Sequence, residues 1–459
     1  MLAAEGMIAI LRFSCLLLPL LMTACASVDM AAERALIDTD IQARQAVSTA
    51  PPVLPAEGER LDRETAVAYA LANNRGLAAD LAEAGLARAD WLQASRPENP
   101  LLGIVWQPHE GEPDFLDVDL MASVMGVVAT PWRSAAARTR YDATRDRAVL
   151  RAIDFAAEIR LAWIDAVAAE QRAELQSVIA EAAEASRLVA EEIHDAGNTP
   201  RLDLVRETLF AEQARLEAQA AAVEADQARL TLLGLMGLPP ETAVELPDRL
   251  DAPNDESVQI DLDQAREASL PLAAAGAEAE AFAREAGLEN WASLLEHTEV
   301  GFVAEREDGD WIEGASLETV VPVFDWGGPR RAAARIRASQ AADRFAQTET
   351  DIRIAIRQAE QAHEAAMVTL DALQSRILPT SESMLAESLR HYNAMQIGVF
   401  ELMAAFEMRT QAGQNLVDAL AQAQKAEVRI QQIRAGGSPA VLSASAGNAM
   451  AAPSDEGGH

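Results

Sequence analysis

The 459-residue chain carries 72 acidic and 38 basic side chains, a formal net charge of −34. A surface of that sign argues against nucleic acid as a partner, since phosphates need a basic surface. Lys425 is the single lysine, which removes the Schiff-base and phosphate-loop lysine chemistries. Half the residues are apolar yet only 4% are aromatic. Alanine makes up the difference, a composition suited to long, closely packed helices.

The N-terminal "MIAILRFSCLLLPLLMTACASVD" has an early Arg12, an apolar run from Phe13 to Met22, and small residues before Cys25. That order is a secretory signal pattern, with a run too short to cross a bilayer as a helix. Cys15 and Cys25 are the two cysteines, so no disulfide framework exists. "LMTAC" resembles a bacterial lipobox, which implies a signal peptide over 1–24 and a covalent lipid on Cys25. With Ala26 and Ser27 next, the lipoprotein analogy implies delivery to the outer membrane. An ordinary signal peptide with an incidental cysteine is the alternative.

Residues 25–60 read as a lipidated, proline-rich linker. A first unit, 61–238, opens with helix and breaks at Pro97 and Pro100. "LLGIVWQP" and "LDVDLMASVMGVV" read as strands around a turn-rich loop. A long helix is expected from Trp132 to about His194, then "DAGNTPRLD", then a helix to about Leu235. Residues 239–259 form a second linker, rich in proline and acid. The second unit, 260–435, repeats the order: helix, strands "TEVGFVAE" and "GASLETVVPVF" around "REDGDW", a long helix from about Pro329 to Met395, a break at "IGVFELMA", and a last helix to about Arg434. The small, polar tail, 436–459, is expected to be disordered.

Three landmarks share one offset. Pro131 and Pro322 lie 191 residues apart, Ala66 and Ala265 199, and Gly197 and Gly398 201. In the same order and within ten residues of each other, they indicate an internal duplication. Pro131 and Pro322, with Gly327 and Gly328, mark the expected strand-to-helix junctions. Gly197 and Gly398 are expected to make tight turns between helices.

The helices carry seams. Leu202, Leu209, Leu216, Val223 and Leu230 recur every seven residues, and Phe345, Ile352, Ile356, Ala359, His363, Ala366, Leu370, Leu373 and Ile377, with Glu349 as the polar member, alternate by three and four, as in coiled coils. Pro379 is expected to kink or end its helix. The strands alternate too. Leu116, Val118 and Leu120 oppose Asp117 and Asp119; Val300, Phe302 and Ala304 oppose Glu299, Gly301 and Glu305. One apolar and one acidic face suits a membrane barrel wall. Alternation alone leaves open a small soluble sheet beside a helical rod.

No chemistry of catalysis stands out. The six histidines make no metal-ligand spacing, and there is no Gly-rich phosphate loop, GxSxG elbow or cysteine nucleophile. The expectation is a non-enzyme with no metal or cofactor.

"VPVFDWGGPRRAAARIRAS" resembles the strand-to-helix signature of the TolC-type outer-membrane efflux channels. "SRPENPLL" resembles the entry to their first strand, and "HYNAMQIGVFELMAAFEMR" and "AGNTPRLDLVRETLFAEQARL" resemble the tips of their helical hairpins. The resemblance covers residue 61 to about 434. "TPWRSAAARTR" departs from it, with Trp132 and Arg133 where the family often has an apolar–aromatic pair and glycine. The resemblance implies a mainly α fold with a small membrane β-barrel portion. Its trimer forms a twelve-stranded barrel continuous with a periplasmic α-helical barrel. It further implies a homotrimer in outer-membrane lipid, a periplasmic adaptor and an inner-membrane transporter as partners, and export without catalysis. Asp203 and Glu401 match acidic residues that the family places near the periplasmic aperture, although acids also favour helix starts. A periplasmic coiled-coil structural or adaptor protein is the competing reading.

Overall fold

A computed structural model describes residues 29–45, 53–55, 58–107, 115–253, 259–295, 298–307, 310–319 and 326–438. Cys25, Pro322 and most of the tail lie outside them. The chain runs α1 (Met30–Gln45), α2 (Arg63–Asn73), α3 (Arg75–Ala94), β1 (Leu101–Gln107), β2 (Phe115–Ser123), α4 (Val124–Val128), α5 (Thr130–Asp195) and α6 (Arg201–Met236). It continues through α7 (Leu262–Ala268), α8 (Leu270–Leu295), β3 (Thr298–Glu307), β4 (Asp310–Thr319), α9 (Gly328–Ala372), a π turn (Leu373–Ile377), α10 (Leu378–Asn393) and α11 (Val399–Arg434).

Helix pair, strand pair, long helix and return helix thus occur twice. Asp62 and Asp261 open the two series alike, each carboxylate accepting two backbone N–H groups at the start of its helix. Such caps satisfy donors that a helix start leaves unpaired. The return helices α6 and α11 both have 36 residues. α5 has 66 residues, roughly 100 Å at 1.5 Å per residue.

α5 is the spine. Its middle buries Ile153, Ile159 and Ile164 completely against α2, α3, α6 and α11, each worth roughly 1.5–3 kcal/mol relative to exposure. Buried alanines between them, Ala152, Ala156, Ala166 and Ala168 among others, let the neighbouring helices approach closely. Polar clamps tie the same layer. Arg172 of α5 reaches Glu224 of α6 and Asp418 of α11, both at 2.8 Å, and Lys425 pairs with Asp165. Glu207, buried on α6, accepts the Ser186 hydroxyl at 2.6 Å.

Arg160, also buried, donates to both oxygens of Glu64 at 3.1 and 2.8 Å. Burial alone would raise the Glu64 carboxyl, but the Arg160 bonds and charge outweigh it and hold it below its ordinary value. Arg160→Ala is expected to cost about 2 kcal/mol, discounted because Glu64 is half exposed. Denaturant unfolding measures it.

Several elements differ from the sequence expectation. The stretch read as an N-terminal linker contains α1. Asp29 caps it, Ile37 and Ile41 are buried one turn apart, and Tyr141 donates its hydroxyl to Glu33 at 2.6 Å. Burial and that bond push the Tyr141 phenol up to about 12. The inter-unit stretch buries Leu246 and Leu250 in the main core, while Gln171 and Gln424 donate to the carbonyls of Asp248 and Asp251. The second strand window was too long: β2 stops at Ser123, whose hydroxyl caps α4 at Gly126 N. β4 starts at Asp310, inside the expected loop "REDGDW". The break at "IGVFELMA" is confined to its start, since α11 begins at Val399.

Pro379 does not end its helix. A proline leaves the carbonyl four residues back without a donor, and here a π turn precedes it, with Leu378 N–H donating to Leu373 O. Thr380 and Ser383 donate their hydroxyls to Arg376 O and Pro379 O, supplying bonds around the break.

The first seam faces outward. On α6 the residues turned inward are Glu207, Ala211, Ala214, Ala225, Leu232, Leu233 and Met236. Leu202, Leu209, Leu216, Val223 and Leu230 are instead 48–62% exposed. The second seam is buried at Ile352, Ile356, Ala359, Leu370 and Leu373, but Ile377 is exposed.

Candidate functional site

The four strands form one antiparallel sheet in the order β1-β2-β3-β4. β2 and β3, far apart in sequence, pair at its centre. β1 and β4 are the edges, unpaired on their outer sides among the described residues.

Register fixes the faces, because directly opposed residues share a side and successive residues alternate. Leu102 faces Leu120, Phe302 and Ala315 in one row; Ile104 lies with Val118, Ala304 and Glu313 in the next; Ala122 lies with Val300 and Leu317. The other face carries Asp117, Asp119, Glu299, Glu305 and Glu318. Asp117 directly opposes Glu305, and Glu299 opposes Glu318. Like charges so placed destabilise a sheet, a cost that water on that face reduces. Gly103 makes room for the Asp119 carboxylate, with which a Cβ would collide.

Tryptophans mark both ends of the apolar face. Trp106 and Trp311 share its outermost described row with Leu116 and Arg306. At the helix end, Trp132 and Trp326 are exposed. Aromatic belts of this kind sit at membrane–water interfaces. The sequence reading overlooked them, although four of seven tryptophans flanking strand windows was a usable signal.

The junctions are built unequally. Gly327 holds φ +73 before α9, a left-handed position that favours glycine. Gly328 is the first residue of α9. Pro131 lies in the first turn of α5, where its missing N–H costs nothing. It does not end a strand, because α4 intervenes. Pro322 is outside the described residues.

The two hairpin tips match in bonding. Gly197 N–H donates to His194 O and Asn198 N–H to Ile193 O; Met395 N–H donates to Tyr392 O and Gln396 N–H to His391 O. Gly197 takes the left-handed position at φ +79, but in the second tip Met395 does, at φ +55. Gly398, expected to make that turn, is extended and precedes α11. Met395 is 94% exposed, so its side chain gains little packing to offset the strain. Met395→Gly is expected to relieve about 1 kcal/mol at the tip, read as slower local hydrogen exchange.

Asp203 and Glu401 occupy the first turns after these tips. Asp203 accepts the Thr199 hydroxyl at 3.3 Å and lies 3.8 Å from Arg206. Glu401 accepts Gly398 N–H at 3.0 Å. Both carboxylates thus make bonds of a helix start. His363, read as a packing residue, is half-buried on α9, and its Nε2 has no partner among the described residues. Among those residues no three His, Cys, Asp or Glu side chains are placed to hold a metal, and no helix is long and apolar enough to cross a membrane.

A two-faced, open-edged sheet carried on long helical hairpins defines a class: it is the fold of the TolC-type outer-membrane efflux channels. The chain aligns with a membrane protein from Pseudomonas aeruginosa at 18% identity and a TM-score of 0.68, over 87% of this chain and 95% of that one. It aligns with the outer membrane protein VceC of Vibrio cholerae at 15% identity and 0.69, over 82% and 96%. The MtrE outer membrane channel of Neisseria gonorrhoeae, solved in an open state, gives 16% and 0.64, over 82% and 89%. No protein-family model and no curated protein matches the sequence. At these identities the likeness is one of fold.

Proposed function

We infer that three copies of the chain form the outer-membrane exit duct of a tripartite efflux or type I secretion-like system. In this reading a periplasmic adaptor joins the duct to an inner-membrane transporter, and a lipid on Cys25 adds an anchor. The observation that carries it is the sheet with one mainly apolar face, where Glu313 and Arg306 are the charged exceptions, one acidic face and two open edges. An unpaired backbone group in hydrocarbon costs several kcal/mol, so such a sheet closes only with copies of itself. Two copies would give eight strands and a filled interior; three give twelve and a water-filled lumen. The exposed heptad stripe on α6 supports the same assembly, since a Leu or Val every seven residues needs a second helix to cover it. The internal duplication then makes the ring quasi-sixfold.

Full-length protein is to be purified, its mass measured by native mass spectrometry, and its conductance recorded in planar bilayers. A conducting trimer is expected. A non-conducting monomer that alkali strips from membranes overturns the reading.

Asp203 and Glu401 are assigned to an acidic ring at the periplasmic aperture, where three copies crowd like charges. Asp203→Asn with Glu401→Gln keeps the local hydrogen-bond capacity and removes the charge. Block by divalent cations is expected to weaken severalfold. Unchanged block would assign both acids to their helix starts alone.

A further inference from the structure

Four glutamines are buried among the described residues: Gln171, Gln414, Gln424 and Gln432. Three of them donate their amides to an oxygen, Gln171 to Asp248 O, Gln424 to Asp251 O and Gln432 to Asp154 Oδ1. Gln414, 8% exposed on α11, has no side-chain partner among the described residues. A buried amide loses its hydration and needs a bond in return. Gln414 lines a cavity of about 80 Å³ between α5, α6 and α11. We propose that this cavity binds a small organic ammonium ion.

Helical spacing builds the walls. Glu407, Gln411 and Gln414 stand at i, i+4 and i+7 on α11, and Phe210 and Glu217 at i and i+7 on α6, so each set shares one face. Gln176 of α5 completes the ring of polar groups. No basic side chain lines the space. Neither Glu217 nor Glu407 has an ion-pair partner among the described residues. Gln176 Nε2 donates to Glu217 at 3.5 Å, and its Oε1 is left buried without a donor. Gln411 donates its amide to Asn415, away from the carboxylates. The lining is thus rich in acceptors and short of donors, since carboxylates only accept. A positive group with several N–H bonds supplies what is missing. A divalent metal ion fits less well, because it takes six or more oxygen ligands and no three metal-ligating side chains converge among the described residues. Phe210 adds an aromatic wall of the kind that attracts ammonium groups. The volume holds several waters or a short alkyl ammonium in their place.

The test uses the full-length protein in detergent, with binding read by calorimetry. The probe is 1,3-diaminopropane; tetramethylammonium, which has charge but no N–H, and magnesium are the controls. Gln414→Leu changes no charge and breaks no side-chain bond within the chain. It is expected to weaken diaminopropane binding about tenfold, the loss of one bond to a charged group, without lowering the unfolding midpoint of the free protein. Glu407→Gln, at an exposed position on the rim, is expected to weaken it by a similar factor, and the two together to abolish it. Absence of diaminopropane binding would leave the cavity to water and overturn the proposal. Tighter binding of magnesium or tetramethylammonium would overturn the donor argument and the proposal with it. Equal binding by wild type and both single variants would assign the effect to diffuse surface charge and overturn it too. The assay needs no conducting channel, so its failure leaves the duct reading standing.

Discussion

Phe302→Arg is expected to abolish the assembled trimer, while Val303→Arg, one residue along, leaves it intact. The two positions sit on opposite faces of β3. Phe302 stands in the apolar row with Leu102, Leu120 and Ala315; Val303 stands between Asp119 and Gly314 on the acidic face. An arginine at mid-depth on a lipid-facing strand costs about 2–4 kcal/mol. In the proposed trimer three copies bring this to about 6–12 kcal/mol per ring, comparable with the whole stability of many domains. On the other face an arginine meets water and the Asp119 carboxylate, which attracts it. The measurement is the trimer band of washed outer membranes on a gel run without heating. Equal loss in both variants would show that the apolar face does not meet lipid.

The second large effect concerns Asp154, where α5 meets the end of α11. Its Oδ1 accepts Gln432 Nε2 at 2.7 Å and Ser438 N–H at 2.8 Å. Burial nevertheless raises its pKa from 3.8 to about 6; those two bonds and Arg151 pull it down without offsetting the lost hydration. A raised folded value means that the folded chain holds this proton more tightly than the unfolded chain. Stability from this carboxyl is therefore full below about pH 4 and is lost as pH rises through about 6. At neutral pH the charged form costs the fold about 3 kcal/mol. Asp154→Asn keeps an oxygen for both donors and removes the charge. It should stabilise the protein by up to that amount at pH 7.5 and change little at pH 4. Unfolding midpoints at the two pH values decide it, and a shift of equal size at both would rule out titration as the cause.

The strands were legible because their side chains alternate over five or more residues. Where each strand ended was not. "VMGVV" is apolar and partly β-branched, so it reads as more strand, and only the Ser123 cap reveals α4. The pairing of β2 with β3 joins segments so distant that no local pattern encodes it. The heptad of α6 was plain to see, but a heptad states that a stripe exists and not which helix covers it. α1 hid beside a proline-rich stretch because it buries few large side chains, chiefly Ile37 and Ile41. The second tip misled through residue type. Glycine is the usual left-handed residue, so Gly398 drew the turn that Met395 makes.

The two long helical runs have equal lengths: 66 residues in α5, and 45, 5 and 16 in α9, the π turn and α10. The π turn holds one residue more than an α turn would, which rotates everything beyond it by about 100°. The two hairpins therefore reach equally far but present different sides at their ends. In a closed ring they would alternate as two kinds of stave, one continuous and one with a built-in swivel. In the proposed ring this change of bonding at residues 373–377 would recur once in each subunit.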